Sequence, residues 1–266
     1  MNEKLLDEIK NQDYAAITKK IEGFLKSQVA INNTNGVILG LSGGIDSSVI
    51  TYLCARVLKD KTLALIMPDT KISPTKETEV ALKIIEKLGI EYKLLDINLI
   101  VSEYSKYIEP NERALGNLRA RVRANLLYYY ANSKNLLVVG SSDKSDFLIG
   151  YFTKFGDGSA DILPIVSLSK IQVRELARFL GVPELIITQK SSPNLWKGHI
   201  AEEEIGVKYE EIDSILYCIF EKKLPSWSFC LLPNTYVPIK PTTNQMTDEI
   251  IILFFIYNKI NINKIK

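Results

Sequence analysis

The sequence predicts an α/β protein: a mostly parallel sheet with helices on both faces. Short apolar runs recur at Gly36–Leu41, Thr62–Met67, Tyr92–Ile97 and Leu136–Val139, and stretches of helical periodicity separate them. A glycine-rich turn follows the first run directly. Strands that alternate with helices pair in parallel through crossovers, and the crossover helices cover both faces of the sheet.

Taken in order, Gln12 to Val29 places Tyr14, Ile17, Ile21, Phe24 and Leu25 at intervals of three or four, an amphipathic helix with a solvated lysine-rich face. GVILGL at Gly36–Leu41 is a buried strand, and DSSVITYLCARVL at Asp46–Leu58 is a helix that opens at the glycine turn. TLALIM forms the second strand, the loop PDTKISPTKE follows, and a helix over Glu77–Leu88 is stopped by Gly89. YKLLDI is the third strand, a helix spans about Leu115 to Ala131, and LLVV at Leu136–Val139 is the fourth strand. A further helix over Lys170–Leu180 ends at Gly181 and Pro183. After Leu224 the pattern degrades into PSWSFCLLPNTYVPIKPTTNQMT, before a short apolar run, Glu249–Tyr257. The organisation expected is one domain over residues 1–224 and a divergent tail over 225–266.

Composition narrows the function. The 266 residues are 46% apolar and 24% charged, ordinary values for a globular chain. With 33 basic and 31 acidic residues the net charge is +2, too small a field for nucleic acid or a membrane surface. Cys54, Cys218 and Cys230 are widely spaced with no CxxC pair, so neither a disulfide framework nor a zinc site is expected, and Cys54 reads as a core residue. The N-terminal stretch is charged throughout and lacks a signal-peptide core, and the longest apolar run is too short to span a bilayer. A cytoplasmic protein follows as the expectation.

The chemistry is concentrated in two stretches. In SGGIDSS, Ser42, Gly43 and Gly44 form the turn at the carboxyl end of the first strand, where ligands bind in open parallel sheets. Two glycines permit unusual backbone angles and close approach, and the following helix N-terminus favours an anion. Asp46 stands against that preference, because a carboxylate in a phosphate cradle repels phosphate unless a cation lies between them; Mg²⁺ is the expected cation, and helix capping the plainer role. The loop has neither the lysine of GxxxxGK[ST] nor the spacing of GxGxxG.

The second stretch, GSSDKSDFLIGYFTKFGDGSAD at Gly140–Asp161, follows the fourth strand and so lies on the same edge of the sheet. It gathers Asp143, Asp146, Lys154, Asp157 and Asp161 among glycines and interleaves them with Phe147, Tyr151, Phe152 and Phe155, a pattern that suits a pocket wall better than a solvated loop. Arg121 and Arg123 lie two apart on a helix and face different ways, so that one can meet a phosphate or carboxylate while the other braces the fold. A lone helix arginine is ordinarily solvated. The single histidine, His199 in WKGHIAEEE, reads as a loop residue and not a catalyst.

SGGIDSS resembles the pyrophosphate-binding loop of the N-type ATP pyrophosphatases, and GYFTKFGDGSAD resembles the segment of their ammonia-dependent NAD synthetase branch. GNLRAR at Gly116–Arg121 with Arg123, PIVSLSKIQVRELARFLGVPE and EEEIGVKYEEID are similar to that family as well, over about Gly36 to Ile219. The resemblance implies an adenine nucleotide alpha hydrolase-like, Rossmann-like fold and the ATP-dependent amidation of deamido-NAD by ammonia, through an adenylate, with release of AMP and pyrophosphate. It implies ATP contacts at Gly40, Leu41, Ser42, Gly43, Gly44, Ile45, Asp46, Ser47, Ser141, Lys170 and Ser192. Mg²⁺ would sit on Asp46 and Asp146, and Asp46 and Lys170 would be catalytic. Arg121, Lys154 and Asp161 would meet the dinucleotide, at the interface of a homodimer.

Three departures accompany the resemblance. Asp146 stands where the family has glutamate, Ser141 stands where threonine is common, and the family's His-Lys pair near the C-terminus has no counterpart after Leu224. The 35 residues before the first strand are too few for a glutaminase domain, so ammonia is expected from solution or from another protein. A transfer-RNA thiolase of the same superfamily and a nucleotide-binding homologue of weak activity are the alternatives; the scattered cysteines and low charge speak against the first.

Overall fold

The structure is a computed structural model that describes residues 3–223. Helices α1 (Glu3–Lys10) and α2 (Tyr14–Ile31) lead into β1 (Gly36–Gly40), α3 (Ile45–Leu58), β2 (Thr62–Ile66), α4 (Thr75–Leu88) and β3 (Glu91–Leu94). There follow α5 (Asn98–Tyr104), α6 (Glu112–Lys134), β4 (Leu136–Val139), α7 (Lys144–Ile149), α8 (Lys170–Leu180), α9 (Glu184–Ile187), α10 (Ala201–Ile205) and α11 (Tyr209–Phe220). The strands form one parallel sheet in the order β3-β2-β1-β4, with Val37 opposite Thr62 and Leu137.

Strand alternation decides which face each residue serves. Val37 and Leu39 of β1 pack with Leu25, Val49, Leu53 and Leu176, which places α2, α3 and α8 on one face. Ile38 points the other way, into a cluster with Leu63, Leu65, Val122 and Val138, and α6 covers that face. Both faces of β1, β2 and β4 are therefore buried, as expected of a parallel sheet, while the edge strand β3 is largely exposed. A third cluster, built on Ile149, Ala201, Ile205, Tyr209, Ile212 and Leu216, joins α7, α10 and α11 beside the sheet.

The differences from the expected elements have local causes. The third strand ends at Leu94 because the chain turns at Asp96, whose carboxylate accepts the N–H of Asn98 at 2.9 Å and starts α5. The long helix begins at Glu112, before Leu115, because Asn111 caps it by accepting the Ala114 N–H at 2.9 Å. The apolar run Glu249–Tyr257 and the tail expected over 225–266 lie outside the described residues.

The connection from β1 leads to β2 on one side, and β4 pairs with β1 on the other, so the order reverses between β1 and β4. A crevice at such a switch point, at the carboxyl ends of the strands, is where open α/β sheets bind ligands. SGGIDSS follows β1 and GSSDKSD follows β4, so both stretches border it.

Candidate active site at the carboxyl edge of the sheet

The glycine turn is held by its own serines. The Ser47 hydroxyl donates to the Gly44 carbonyl at 3.1 Å and accepts the Ser42 N–H at 3.2 Å, while Ser42 Oγ lies 3.0 Å from Ser47 Oγ and accepts the Gly44 N–H at 3.2 Å. Gly43 has φ 87°, and a Cβ on it would lie 2.5 Å from the Glu77 carbonyl oxygen, so only glycine fits there. Gly44 precedes α3 without a capping side chain, which leaves the helix's first amides facing the crevice beside Asp46 in its first turn.

Across the crevice, Asp143 ends the β4 connection and caps α7 by accepting the Asp146 N–H at 2.8 Å. Ser169 and Gln172 form a capping box for α8, and Lys170 is the first residue of that helix. The Lys170 side chain, 1% exposed, passes inward, and its Nζ lies 2.9 Å from Asp46 Oδ2, 2.5 Å from Asp143 Oδ2 and 3.0 Å from Asp146 Oδ2. Tyr209 closes the group from α11: its hydroxyl donates to Asp146 Oδ1 at 2.7 Å, and its ring centroid is 4.9 Å from Nζ.

Electrostatics follow from that geometry. Burial alone disfavours the Lys170 ammonium, but Asp143, Asp146 and Asp46 outweigh it and hold the Lys170 pKa well above its ordinary value. Burial, with repulsion from the neighbouring carboxylates, raises Asp143 well above the ordinary range and raises Asp146 too, despite the counter-charge of Lys170. Three ionised carboxylates and one ammonium leave two negative charges uncompensated, so the cluster attracts a proton or a cation. One oxygen of each of Asp46, Asp143 and Asp146 lies within 4.8 Å of the others, and Asp46 Oδ1 is buried with no hydrogen-bond partner. An all-oxygen donor set with an unsatisfied buried carboxylate oxygen suits a hard divalent cation.

Of the residues expected to act together, Asp46, Asp146 and Lys170 converge, and Asp143 joins them. In the sequence Asp143 is one of several carboxylates in the stretch after β4, and only the fold brings it to Lys170. Arg121 donates from Nε to the Lys154 carbonyl at 3.2 Å, which makes these two neighbours, and the Lys154 ammonium lies 5.0 Å from the centre of the Phe155 ring. Asp161 instead accepts the Val138 N–H at 2.7 Å and the Tyr128 hydroxyl at 3.2 Å, tying its loop to β4. The Ser192 hydroxyl bonds the His199 carbonyl and lies 3.0 Å from Asn194 Oδ1. Ser141 is half-buried just past β4.

The bracing arginine is doubled. Arg123 donates from Nε to the Met67 carbonyl at 3.0 Å, and burial pushes its pKa down to about 10. Arg119, not singled out in the sequence, makes a buried ion pair with Asp69 at 2.7 Å and donates to the Leu195 carbonyl at 2.9 Å. His199 lies in a loop as expected, yet it is 3% exposed, stacked on Trp196, and 2.7 Å from Glu204. In KYEEID Tyr209 has only the helical spacing of a core residue and carries no functional signal of its own.

Comparison with known proteins places the chain in a family. The chain is 50% identical over 222 residues to the NH(3)-dependent NAD(+) synthetase of Hyperthermus butylicus, covering 82% of this chain and 80% of that protein. It is 46% identical over 240 residues to the NH(3)-dependent NAD(+) synthetase of Methanocaldococcus jannaschii, covering 88% and 91%. Among solved structures, the NMN synthetase from Francisella tularensis superposes with a TM-score of 0.76 at 31% identity over 96% of this chain and 97% of that one. The NH3-dependent NAD synthetase from Campylobacter jejuni does so with a TM-score of 0.73, at 31% identity and the same coverage. Residues 17–230 match the family described as NAD synthase, and the chain belongs to that family.

Proposed function

We propose that this chain forms NAD from deamido-NAD, ATP and ammonia. The observation that carries the reading is Lys170, buried in the crevice between the β1 loop and the β4 loop and held by carboxylates from both. In the first step a nicotinate carboxylate oxygen attacks the α-phosphorus of ATP and the bond to the bridging oxygen breaks, so pyrophosphate leaves and an acyl adenylate forms. In the second, ammonia attacks the acyl carbon, AMP departs with the C–O electron pair, and the nitrogen loses a proton to give the amide.

Both steps need charge neutralisation and alignment, and neither needs a nucleophilic side chain. The Gly43–Gly44 turn and the α3 N-terminus offer N–H groups to the phosphates, and Lys170 supplies a positive charge beside them. Gly40, Leu41, Ile45 and Ser47 shape the same cradle. Asp46 and Asp146, with Asp143 beside them, would hold Mg²⁺, which when bound offsets phosphate charge. Arg121 of α6 and Lys154 after α7, which are neighbours, are the groups for the dinucleotide, and Ser141 and Ser192 those for ATP; Asp161 can join the dinucleotide only by sharing its bonds to β4 and Tyr128.

A homodimer with the dinucleotide at its interface belongs to the same proposal. It is supported by Leu99 at 77% and Tyr107 at 79% exposure, large apolar side chains left uncovered on one protomer. Among the described residues no helix is long and apolar enough to cross a membrane, and a cytoplasmic setting fits a chain whose substrates are nucleotides and ammonia.

The test is incubation with ATP, Mg²⁺ and ammonium plus either deamido-NAD or nicotinate mononucleotide. Equal amounts of AMP and NAD from the dinucleotide, with slower turnover of the mononucleotide, are expected. No AMP from either substrate would refute the reading, and preference for the mononucleotide would shift the reading toward formation of NMN, the product named for the Francisella neighbour.

A further inference from the structure

Helix α11 reaches the cluster from outside both motif stretches, and it does so with two side chains. Asp213 is 1% exposed. Its Oδ2 accepts the Ile171 N–H at 2.7 Å, and its Oδ1 accepts the Ser145 hydroxyl, which in turn accepts the Lys170 N–H at 3.0 Å. The first two amides of α8, which no turn of their own helix can satisfy, are thus taken up by one carboxylate, directly and through one serine. A negative charge there is also favoured by the dipole of α8. Because Ser145 belongs to α7, next to Asp146, the same carboxylate couples the backbone that carries Asp146 to the backbone that carries Lys170.

Tyr209 stands four residues before Asp213, one turn along the same face of α11. Its hydroxyl occupies Asp146 Oδ1, so that Asp146 turns only Oδ2 toward Lys170. A tyrosine and an aspartate on the face that meets the cluster are costly choices for packing alone, since an apolar pair would fill the space without a buried charge.

We propose that Tyr209 and Asp213 are positioning residues for the reaction: Asp213 sets the place of Lys170 through Ser145 and the α8 amides, and Tyr209 orients Asp146 so that one carboxylate oxygen faces the ammonium and the cation site. The proposal rests on the reaction assigned above. Asp213 acts on the charge that meets the phosphates, so its loss lowers kcat and leaves KM for deamido-NAD alone. Tyr209 acts on a cation-binding carboxylate, so its loss is read in metal affinity.

The experiment uses the full chain with Tyr209→Phe, Asp213→Asn, Ser145→Ala and the double variant S145A/D213N. Thermal midpoints, Mn²⁺ binding followed by electron paramagnetic resonance without substrates, and steady-state kinetics are measured for each. Tyr209→Phe is expected to weaken Mn²⁺ binding about 10-fold, the usual scale for a partner of a metal ligand. Asp213→Asn and Ser145→Ala are each expected to lower kcat at least several-fold at unchanged KM for deamido-NAD, and the double variant to lose no more than Asp213→Asn, because both act through one relay. Should Asp213→Asn not fold, Ser145→Ala carries the kinetic arm. Unchanged Mn²⁺ affinity in Tyr209→Phe overturns the role of Tyr209, and losses that multiply in the double variant, or that follow only the folded fraction, overturn that of Asp213. If the unaltered protein makes neither AMP nor NAD, the reaction assignment fails, and the Mn²⁺ titration still decides the role of Tyr209.

Discussion

Asp46 is the carboxylate with an oxygen to spare: Oδ2 meets Lys170, and Oδ1 is buried without a partner. Its place in a turn built for anions singles it out in the sequence, because a carboxylate beside a phosphate calls for a cation between them. Asp46→Asn keeps the shape and removes the charge. Turnover measured as AMP release is expected to fall by about 10²–10³, the scale of losing one electrostatic stabiliser at a reacting phosphate, with the thermal midpoint retained. A fully active Asp46→Asn protein would exclude a cation-binding role. Gly43 makes the complementary case for the backbone. Alanine there would have to adopt φ 87° with its Cβ 2.5 Å from the Glu77 carbonyl oxygen. Gly43→Ala is expected to cost about 1–3 kcal/mol in urea unfolding and to lose ATP binding in calorimetry, because the turn must open to admit it. Unchanged stability and ATP affinity would show that the turn does not depend on this geometry.

At the scale of elements, sequence legibility followed burial and length. The central strands were readable because both their faces are buried, so each is an unbroken apolar run. Helix α3 was readable from the glycine turn before it and α8 from the glycine after it. Helices α7, α9 and α10 are 6, 4 and 5 residues long, too short to show a period. Nothing in one segment of sequence could show that α11 meets Asp146, since that contact spans 63 positions. The Arg119–Asp69 pair is of the same kind: it joins α6 to the loop after β2 across 50 positions, and Arg119 also holds the Leu195 carbonyl of the loop that carries Ser192 and His199. Arg119→Leu would leave Asp69, 1% exposed, without its ion-pair partner and with only the charge of Arg123 nearby. A loss of about 3–5 kcal/mol is expected in urea unfolding. Restoration by Asp69→Asn in the same chain would confirm that the stranded charge is the cause, and a loss below 1 kcal/mol, on the order of an exposed ion pair, would refute it.

The whole molecule carries almost no net charge, +2 over 266 residues, yet its site concentrates three carboxylates around one ammonium. The total charge could not reveal this local excess, which arises only when the loops after β1 and β4 meet at the switch point. The excess links folding to protons and cations. Burial raises Asp143 and Asp146 above the ordinary carboxylate value of 3.8, so these groups bind protons more tightly in the folded state. The stability that protonation supplies is full below that ordinary value and is lost as pH rises through the higher folded values, so at neutral pH these two carboxylates oppose folding, against the stabilising charge of Lys170. A bound cation offsets that opposition by mass action, about 2.7 kcal/mol at a concentration a hundred times its Kd. Mg²⁺ alone is therefore expected to raise the thermal midpoint, and to raise it more at pH 8 than at pH 5, where protons compete for the same oxygens. Asp143→Asn keeps an oxygen to cap α7 and removes one of the repelling charges. It should raise the midpoint without Mg²⁺ by about 2–4 °C for each kcal/mol relieved, and shrink the Mg²⁺ response. Calorimetric scans of both proteins at the two pH values, with and without Mg²⁺, decide it: a lower midpoint for Asp143→Asn together with an undiminished Mg²⁺ response would mean that the Lys170 attraction, and not carboxylate repulsion, governs the cluster.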